Sequence, residues 1–187
     1  MSVNKHLKYS AKEFASLLGI SRNSLYNYEK EGKLPPAKRI KNGAAKRRFY
    51  SYEDLNKARQ ILKKHPTIYK SPLVQLIMNF KGGTGKSTIA SNYAFRLAEY
   101  GYRVLTIDLD PQGHLTTCLG LNPSDFDRTM YNVLIDDMPI KEVVQETVFP
   151  NLHIVPANLN LSPSELLLTS MPAREFRLSR AIKKLGD

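Results

Sequence analysis

Apolar residues recur at helical spacing in the first third of the chain and form short continuous runs later, so the pattern predicts a small helical region followed by alternating helices and strands. Ser10-x-x-Glu13 is a capping box ahead of Phe14, Leu17 and Leu18. Ser21 is placed to cap a second helix that buries Leu25 and Tyr28, with Leu18-Gly19-Ile20 as the turn between the two. Residues 38–50 read as two strands around Asn42-Gly43, a strong hairpin signal. Ser51-x-x-Asp54 then starts a helix with Leu55, Ala58, Ile61 and Leu62 on one face. Residues 65–72 carry prolines near both ends and no periodicity, which marks a linker.

Beyond the linker the apolar run 73–78 reads as a strand. From 87 to 100, Ile89, Ala90, Tyr93, Ala94, Leu97 and Ala98 recur at helical spacing and Gly101 suits a C-cap. Residues 104–107 are a second strand, completing a β-α-β unit. Residues 120–132 read as polar loop and short helix, 139–147 as a helix with Pro139 at its start, 152–156 as a strand, and 162–169 and 172–185 as helices. The expected fold class is α/β preceded by a small helix-turn-helix domain, with domains at 1–64 and 73–187. No internal repeat or low-complexity tract interrupts them.

Charge separates the same two regions. Residues 1–70 hold 17 Lys and Arg against 5 Asp and Glu, whereas 71–187 hold 11 against 12, so the whole excess of +11 belongs to the first part. Asymmetry of that size suits a module that binds a polyanion. The one cysteine, Cys118, has no partner for an internal disulfide, fits a reducing compartment and is expected to be a small buried hydrophobe. No stretch is long and apolar enough for a membrane span, and the first residues lack the apolar core of a signal peptide. The expected location is the cytoplasm, at the nucleoid.

The chemistry concentrates in Lys81-Gly82-Gly83-Thr84-Gly85-Lys86-Ser87-Thr88, between the 73–78 run and the following helix. Glycines at 82, 83 and 85 let the backbone turn tightly and aim N–H groups at a polyphosphate. Lys86 adds charge for the β- and γ-phosphates, Ser87 offers a hydroxyl to Mg²⁺, and the helix presents its positive N-terminus. Phe80 stands where the common phosphate-loop pattern has its first glycine, with Lys81 after it. Asp108 and Asp110 follow the 104–107 strand, at the carboxyl edge where open α/β sheets place ligands.

The string 81–88 resembles the deviant Walker A motif, K-G-G-x-G-K-[ST], of the ParA/MinD group of phosphate-loop ATPases. Asp108-Leu109-Asp110-Pro111-Gln112-Gly113 resembles the D-x-D-P-Q-G segment of ParA partition ATPases, and Asn158-Leu159-Asn160-Leu161 also resembles the ParA pattern. The resemblance implies that Lys81 reaches the partner's phosphates across an ATP-sandwich dimer and that Asp110 positions or activates the attacking water. With Lys81 and Asp110 catalytic, ATP and Mg²⁺ are the implied cofactors, and Ser87 and Asp108 the candidate metal ligands. The family's next element is a strand ending in the Walker B aspartate, and the chain is expected to stop short of it, as an N-terminal fragment.

The basic module resembles the winged helix-turn-helix of MerR-type regulators, with 38–50 as the wing, six of whose 13 residues are Lys or Arg. Off the apolar face of the second helix stand Arg22, Asn23, Tyr26, Asn27 and Lys30. Arg22, Asn23 and Asn27 are candidates for base edges, and Lys30, Lys46, Arg47 and Arg48 for phosphates. The combined expectation is a plasmid or chromosome partition ATPase that binds ATP, dimerises, binds DNA, is stimulated by a ParB-like partner and represses its own operon. Two alternatives stand beside it: a transcription regulator that only senses nucleotide, and a MinD-like membrane-site regulator, which Pro111-Gln112-Gly113 disfavours.

Overall fold

The computed structural model describes residues 7–42, 45–64, 66 and 72–185. Contacts divide the chain into two compact units, Met1–Leu73 with Glu99–Tyr102 and Val74–Ala98 with Arg103–Asp187. Most of the expected linker, 65 and 67–71, lies outside the described residues.

The first unit runs β1 (Lys8–Tyr9), α1 (Ala11–Leu17), α2 (Arg22–Lys30), β2 (Lys38–Asn42), β3 (Ala45–Ser51) and α3 (Tyr52–Leu62). The capping box at α1 is complete: Glu13 N–H donates to Ser10 Oγ at 3.3 Å and Ser10 N–H to Glu13 Oε2 at 2.8 Å. Ser21 Oγ accepts from Ser24 N–H at 3.0 Å at the start of α2, and Ser51 and Asp54 form a second box at α3. Gly19, at φ 62°, makes the turn between α1 and α2 in the left-handed region, where a β-carbon is costly. The sheet is antiparallel in the order β1-β3-β2, and the β2/β3 register from Lys38↔Phe49 to Asn42↔Ala45 makes the wing. Gly43, at the expected turn, lies with Ala44 outside the described residues. Phe14 stacks on Tyr50 with ring centroids 4.1 Å apart, above a core of Leu25, Leu55 and Ala58.

The second unit holds α4 (Lys86–Glu99), β4 (Val104–Ile107), α5 (His114–Cys118), α6 (Met130–Ile135), β5 (Gln145–Glu146), β6 (Leu152–Val155), α7 (Ser164–Thr169) and α8 (Arg177–Lys183). β4 and β6 pair in parallel from Val104↔Leu152 to Ile107↔Val155, and β5 closes antiparallel on β6. The order β4-β6-β5 leaves β4 at an edge. Met130, Val133, Ile140, Val143, Val155, Ala157 and Leu161 form one buried cluster against the sheet. It sits beneath the loops that leave the carboxyl ends of β4 and β6.

Four expectations are corrected. The run 73–78 is not a strand: it has no ladder partner among the described residues, and Leu73, Leu76 and Met78 are 64, 73 and 64 % exposed. An apolar sequence supplies the preference for a buried strand, but neighbouring strands must supply the ladder. Residues 139–147 form a single 3-10 turn, Ile140–Glu142, and then β5, because that turn with its cap Val143 already buries Ile140 and Val143 and the following residues pair with β6. In 172–185, Ala173 at φ 54° breaks the helix, and α8 starts where the Arg177 guanidinium donates to the Leu134 and Ile135 carbonyls at the end of α6. Cys118 is exposed, not buried, because Leu115 and Leu119 take the inward positions of that short helix.

Candidate nucleotide loop and DNA-facing surface

The loop before α4 turns through two left-handed glycines, Gly83 at φ 71° and Gly85 at φ 79°. A β-carbon at Gly82, Gly83 or Gly85 would meet nothing within 4 Å, so open space, not packing, surrounds the loop. Lys81 N–H is tied to Asn79 Oδ1 at 3.0 Å and Thr84 Oγ1 donates to the Lys81 carbonyl at 3.2 Å. The Lys86 ammonium folds back to 3.5 Å from that same carbonyl. Ile89 N–H reaches Gly85 O at 2.8 Å, which leaves the N–H groups of Lys86, Ser87 and Thr88 as first-turn donors of a 14-residue helix. Lys86 and Ser87 are half-buried, while Lys81, Thr84 and Thr88 are exposed. An ammonium, a hydroxyl and unpaired amides around open space fit a polyphosphate with its divalent cation.

Asp108 and Asp110 play unlike parts. Asp108 is 2 % exposed; its Oδ2 accepts from Thr116 N–H at 2.9 Å and Thr116 Oγ1 at 2.8 Å, and its Oδ1 from Asp110 N–H at 3.1 Å. Thr116 Oγ1 also accepts from Ala157 N–H at 3.3 Å, so one buried carboxylate and one hydroxyl join the loops after β4 and β6. Both oxygens expected at Mg²⁺ accept hydrogen bonds inside the fold, three in all, and these bonds anchor the loop after β4. Asp110 is half-exposed, accepts from Gln112 N–H at 3.0 Å, and has His114 Nδ1 3.7 Å from Oδ2. Among the described residues no group of three or more His, Cys, Asp and Glu forms a metal cluster. Thr116 is not among the sequence candidates; its only signal is a threonine in the first turn of the helix after the aspartates.

Gly113 is confined by packing as well as by its φ of 63°. A β-carbon there would sit 2.6 Å from Pro123 Cγ and 2.8 Å from the Ala157 carbonyl oxygen. Gly113→Ala is therefore expected to destabilise the second unit by roughly 1–3 kcal/mol, by overpacking and backbone strain. Gly82→Ala, with free space and ordinary φ, should stay within about 0.5 kcal/mol. Denaturant melts of the two variants check this, and equal losses would refute the packing argument.

In the first unit Arg22, Asn23, Asn27 and Lys30 are all exposed on α2, and Arg47 is exposed on β3. Lys46 has its backbone in β3, and its side chain lies outside the described residues. Arg48 is different: its guanidinium pairs with Glu29 of α2 and lies over the Tyr26 ring, 4.7 Å from the centroid.

Residues 74–187 match a family described as AAA domain, and residues 9–60 match one described as helix-turn-helix domain. The chain belongs to the ParA-type AAA-domain family. It is 40 % identical over 175 residues to the cell division protein PomZ of Myxococcus xanthus, covering 94 % of this chain and 50 % of that one. It is 40 % identical over 110 residues to the chromosome partitioning protein ParA of the same organism, covering 59 % of this chain and 39 % of that one. A structure described as cobyrinic acid a,c-diamide synthase from Mycobacterium smegmatis with bound ADP and magnesium superposes with a TM-score of 0.54 and 39 % identity, covering 58 % of this chain and 44 % of that one. The ParA-type chain thus spans half or less of the length of these two curated relatives. The second unit has ParA-like phosphate-loop ATPases as its structural neighbours, a helix-turn-helix domain precedes it in this chain, and two of the Mycobacterium smegmatis structures hold ADP or an ATP analogue with magnesium. No helix among the described residues is long and apolar enough to cross a membrane.

Proposed function

We propose that the chain is the DNA-binding and phosphate-loop part of a ParA-type partition ATPase, which binds Mg²⁺-ATP, dimerises on it and uses the winged module to bind an operator of its own operon. The observation that carries the reading is one chain with two chemistries: open left-handed glycines and Lys86 at the start of α4, and a recognition helix with Arg22, Asn23, Asn27 and Lys30 exposed. In the second unit the Lys86–Thr88 amides and the Lys86 ammonium take the phosphates, and Ser87 takes the cation. Lys81, exposed on the loop, is left for the partner's nucleotide. Asp110 orients the attacking water while Asp108 and Thr116 hold its loop from behind. Bound Mg²⁺ supplies charge neutralisation of the transferring phosphoryl group, where alignment and charge do most of the work. A ParB-like protein is the proposed activator, and the nucleoid the proposed location.

DNA titrations test the reading of the first unit. Affinity should fall steeply with salt, and Arg47→Ala should lower the slope of log K against log salt by about 0.9, the contribution of one phosphate. Asn27→Ala should instead relax preference at one base position, costing about 1–3 kcal/mol for a bidentate contact. A chain indifferent to DNA at low salt would remove this half of the proposal.

A further inference from the structure

Glu29 is an acidic residue on the helix that should meet a polyanion, yet its side chain is only 8 % exposed. Its Oε1 accepts from Ala37 N–H at 2.8 Å and from the Tyr50 hydroxyl at 2.9 Å, and its Oε2 pairs with Arg48. Arg48 Nη2 also reaches the Tyr50 hydroxyl at 3.4 Å, and Arg48 Nε is buried. Burial, and then the hydrogen bond to Glu29, push the Tyr50 hydroxyl up to about 12, so it remains a donor at every working pH. Tyr50 in turn stacks on Phe14 of α1. One carboxylate therefore ties the recognition helix to the segment entering the wing, to two positions of β3 and, through Tyr50, to α1.

The alternation of a strand places Arg48 and Tyr50 on one face of β3 and Arg47 on the other. β1 pairs β3 only at Tyr50 and Ser51, so the rest of the wing is a two-stranded ribbon, which is marginal alone and needs outside contacts to fix its angle. Glu29 supplies the contact to the recognition helix, beside the Lys38–Asp54 ion pair that ties β2 to α3, and the Arg48 guanidinium, held over Tyr26, also fixes that exposed ring on the outward side of α2. We infer that Glu29 and Arg48 are positioning residues, a clip that sets the wing against the recognition helix and presents Tyr26 to DNA, and that Arg48 neutralises no phosphate. This rests on the DNA-binding reading and assigns Arg48 differently from the sequence expectation, which had it beside Arg47 at the backbone.

The sign of one substitution separates the alternatives. Glu29→Ala removes a negative charge from a DNA-facing element, so electrostatics alone would tighten binding to every duplex. The clip requires the opposite for a specific site. The probes are a duplex selected from a randomised pool by the unmodified chain and an unselected duplex of equal length. Glu29→Ala and Arg48→Ala are each expected to weaken the selected duplex by roughly tenfold while leaving the unselected one and the salt slope unchanged; the double variant should lose no more than either single one. Arg47→Ala should weaken both duplexes and lower the slope by about 0.9. Glu29→Gln keeps the acceptor for Ala37 and Tyr50 but loses the charge, and it should lose part of the selectivity. It serves where Glu29→Ala does not fold. The inference is overturned if Glu29→Ala tightens both duplexes, if Arg48→Ala lowers the slope as Arg47→Ala does, or if Glu29→Gln selects like the unmodified chain. Should the unmodified chain select no duplex, the DNA reading fails separately. The clip is then decided by melting, where additive losses for Glu29→Ala and Arg48→Ala overturn it and a non-additive pair supports it.

Discussion

Lys86→Ala is expected to abolish ATP binding in a chain spanning the full length of its relatives, whereas Lys81→Ala should spare binding and abolish ATP-dependent dimerisation. The two lysines sit on one loop in unlike surroundings. Lys86 opens α4, is half-buried, and brings its ammonium over the loop to 3.5 Å from the Lys81 carbonyl. A phosphate cradled by the first-turn amides would lie within about 4 Å of it, where one unit-charge attraction is worth about 4 kcal/mol at an effective dielectric of 20. Losing that much costs roughly a thousandfold in affinity, which the backbone amides alone do not restore. Lys81 has its N–H tied to Asn79 and its carbonyl capped by Thr84, while its side chain remains exposed. A residue so placed contributes little within its own subunit and is free to act across a dimer. Calorimetry gives the affinity of each variant and light scattering the mass with and without ATP. Equal loss of nucleotide affinity in both variants would remove the trans-acting part of Lys81.

Local signals were legible wherever the physics is local. Ser10 with Glu13 and Ser51 with Asp54 need only a few residues to satisfy the first helical amides, and both boxes form where the sequence places them. The glycines of the phosphate loop and Gly113 are likewise readable, because a left-handed φ excludes most other residues. What escaped the sequence depends on partners distant along the chain. Glu29 and Arg48 are 19 residues apart, and nothing in either neighbourhood says that one buries its charge on the other. Asp108 looked like a site carboxylate because it ends a strand; only the return of Thr116 and Ala157 beneath it reveals an anchor. Cys118 has a composition-level preference for the interior that Leu115 and Leu119 override on a helix of five residues.

The 187-residue chain by itself is expected to show no measurable Mg²⁺-dependent ATP turnover, although its winged module stays folded and binds DNA. The segment that carries the phosphate loop has its apolar side chains in solvent and no ladder among the described residues, with Phe80, next to the loop, 95 % exposed. β4, whose carboxyl end delivers Asp110, is an edge strand with every residue only half-buried. Phosphate-loop folds resembling this one set a strand ending in an aspartate beside the loop-bearing strand, and that aspartate orders Mg²⁺. Asp108, with both oxygens accepting hydrogen bonds inside the fold, is poorly placed to substitute. Among the described residues no ladder holds the loop-bearing segment against β4 and Asp110, and displacement of about 1 Å from productive geometry already costs on the order of a hundredfold in rate. The apolar core of the first unit, with Phe14, Leu25, Tyr50 and Leu55, lies within residues 7–64, although Glu99–Tyr102 also belong to that unit. An unpaired apolar segment should also bind a hydrophobic dye and promote association at rising concentration. Phosphate release assays on the purified chain, with Asp110→Ala as the blank, decide the matter. Turnover above background that disappears in Asp110→Ala would show that the site assembles without a further strand, and would overturn the anchoring part given to Asp108 if Asp108→Asn also abolished it.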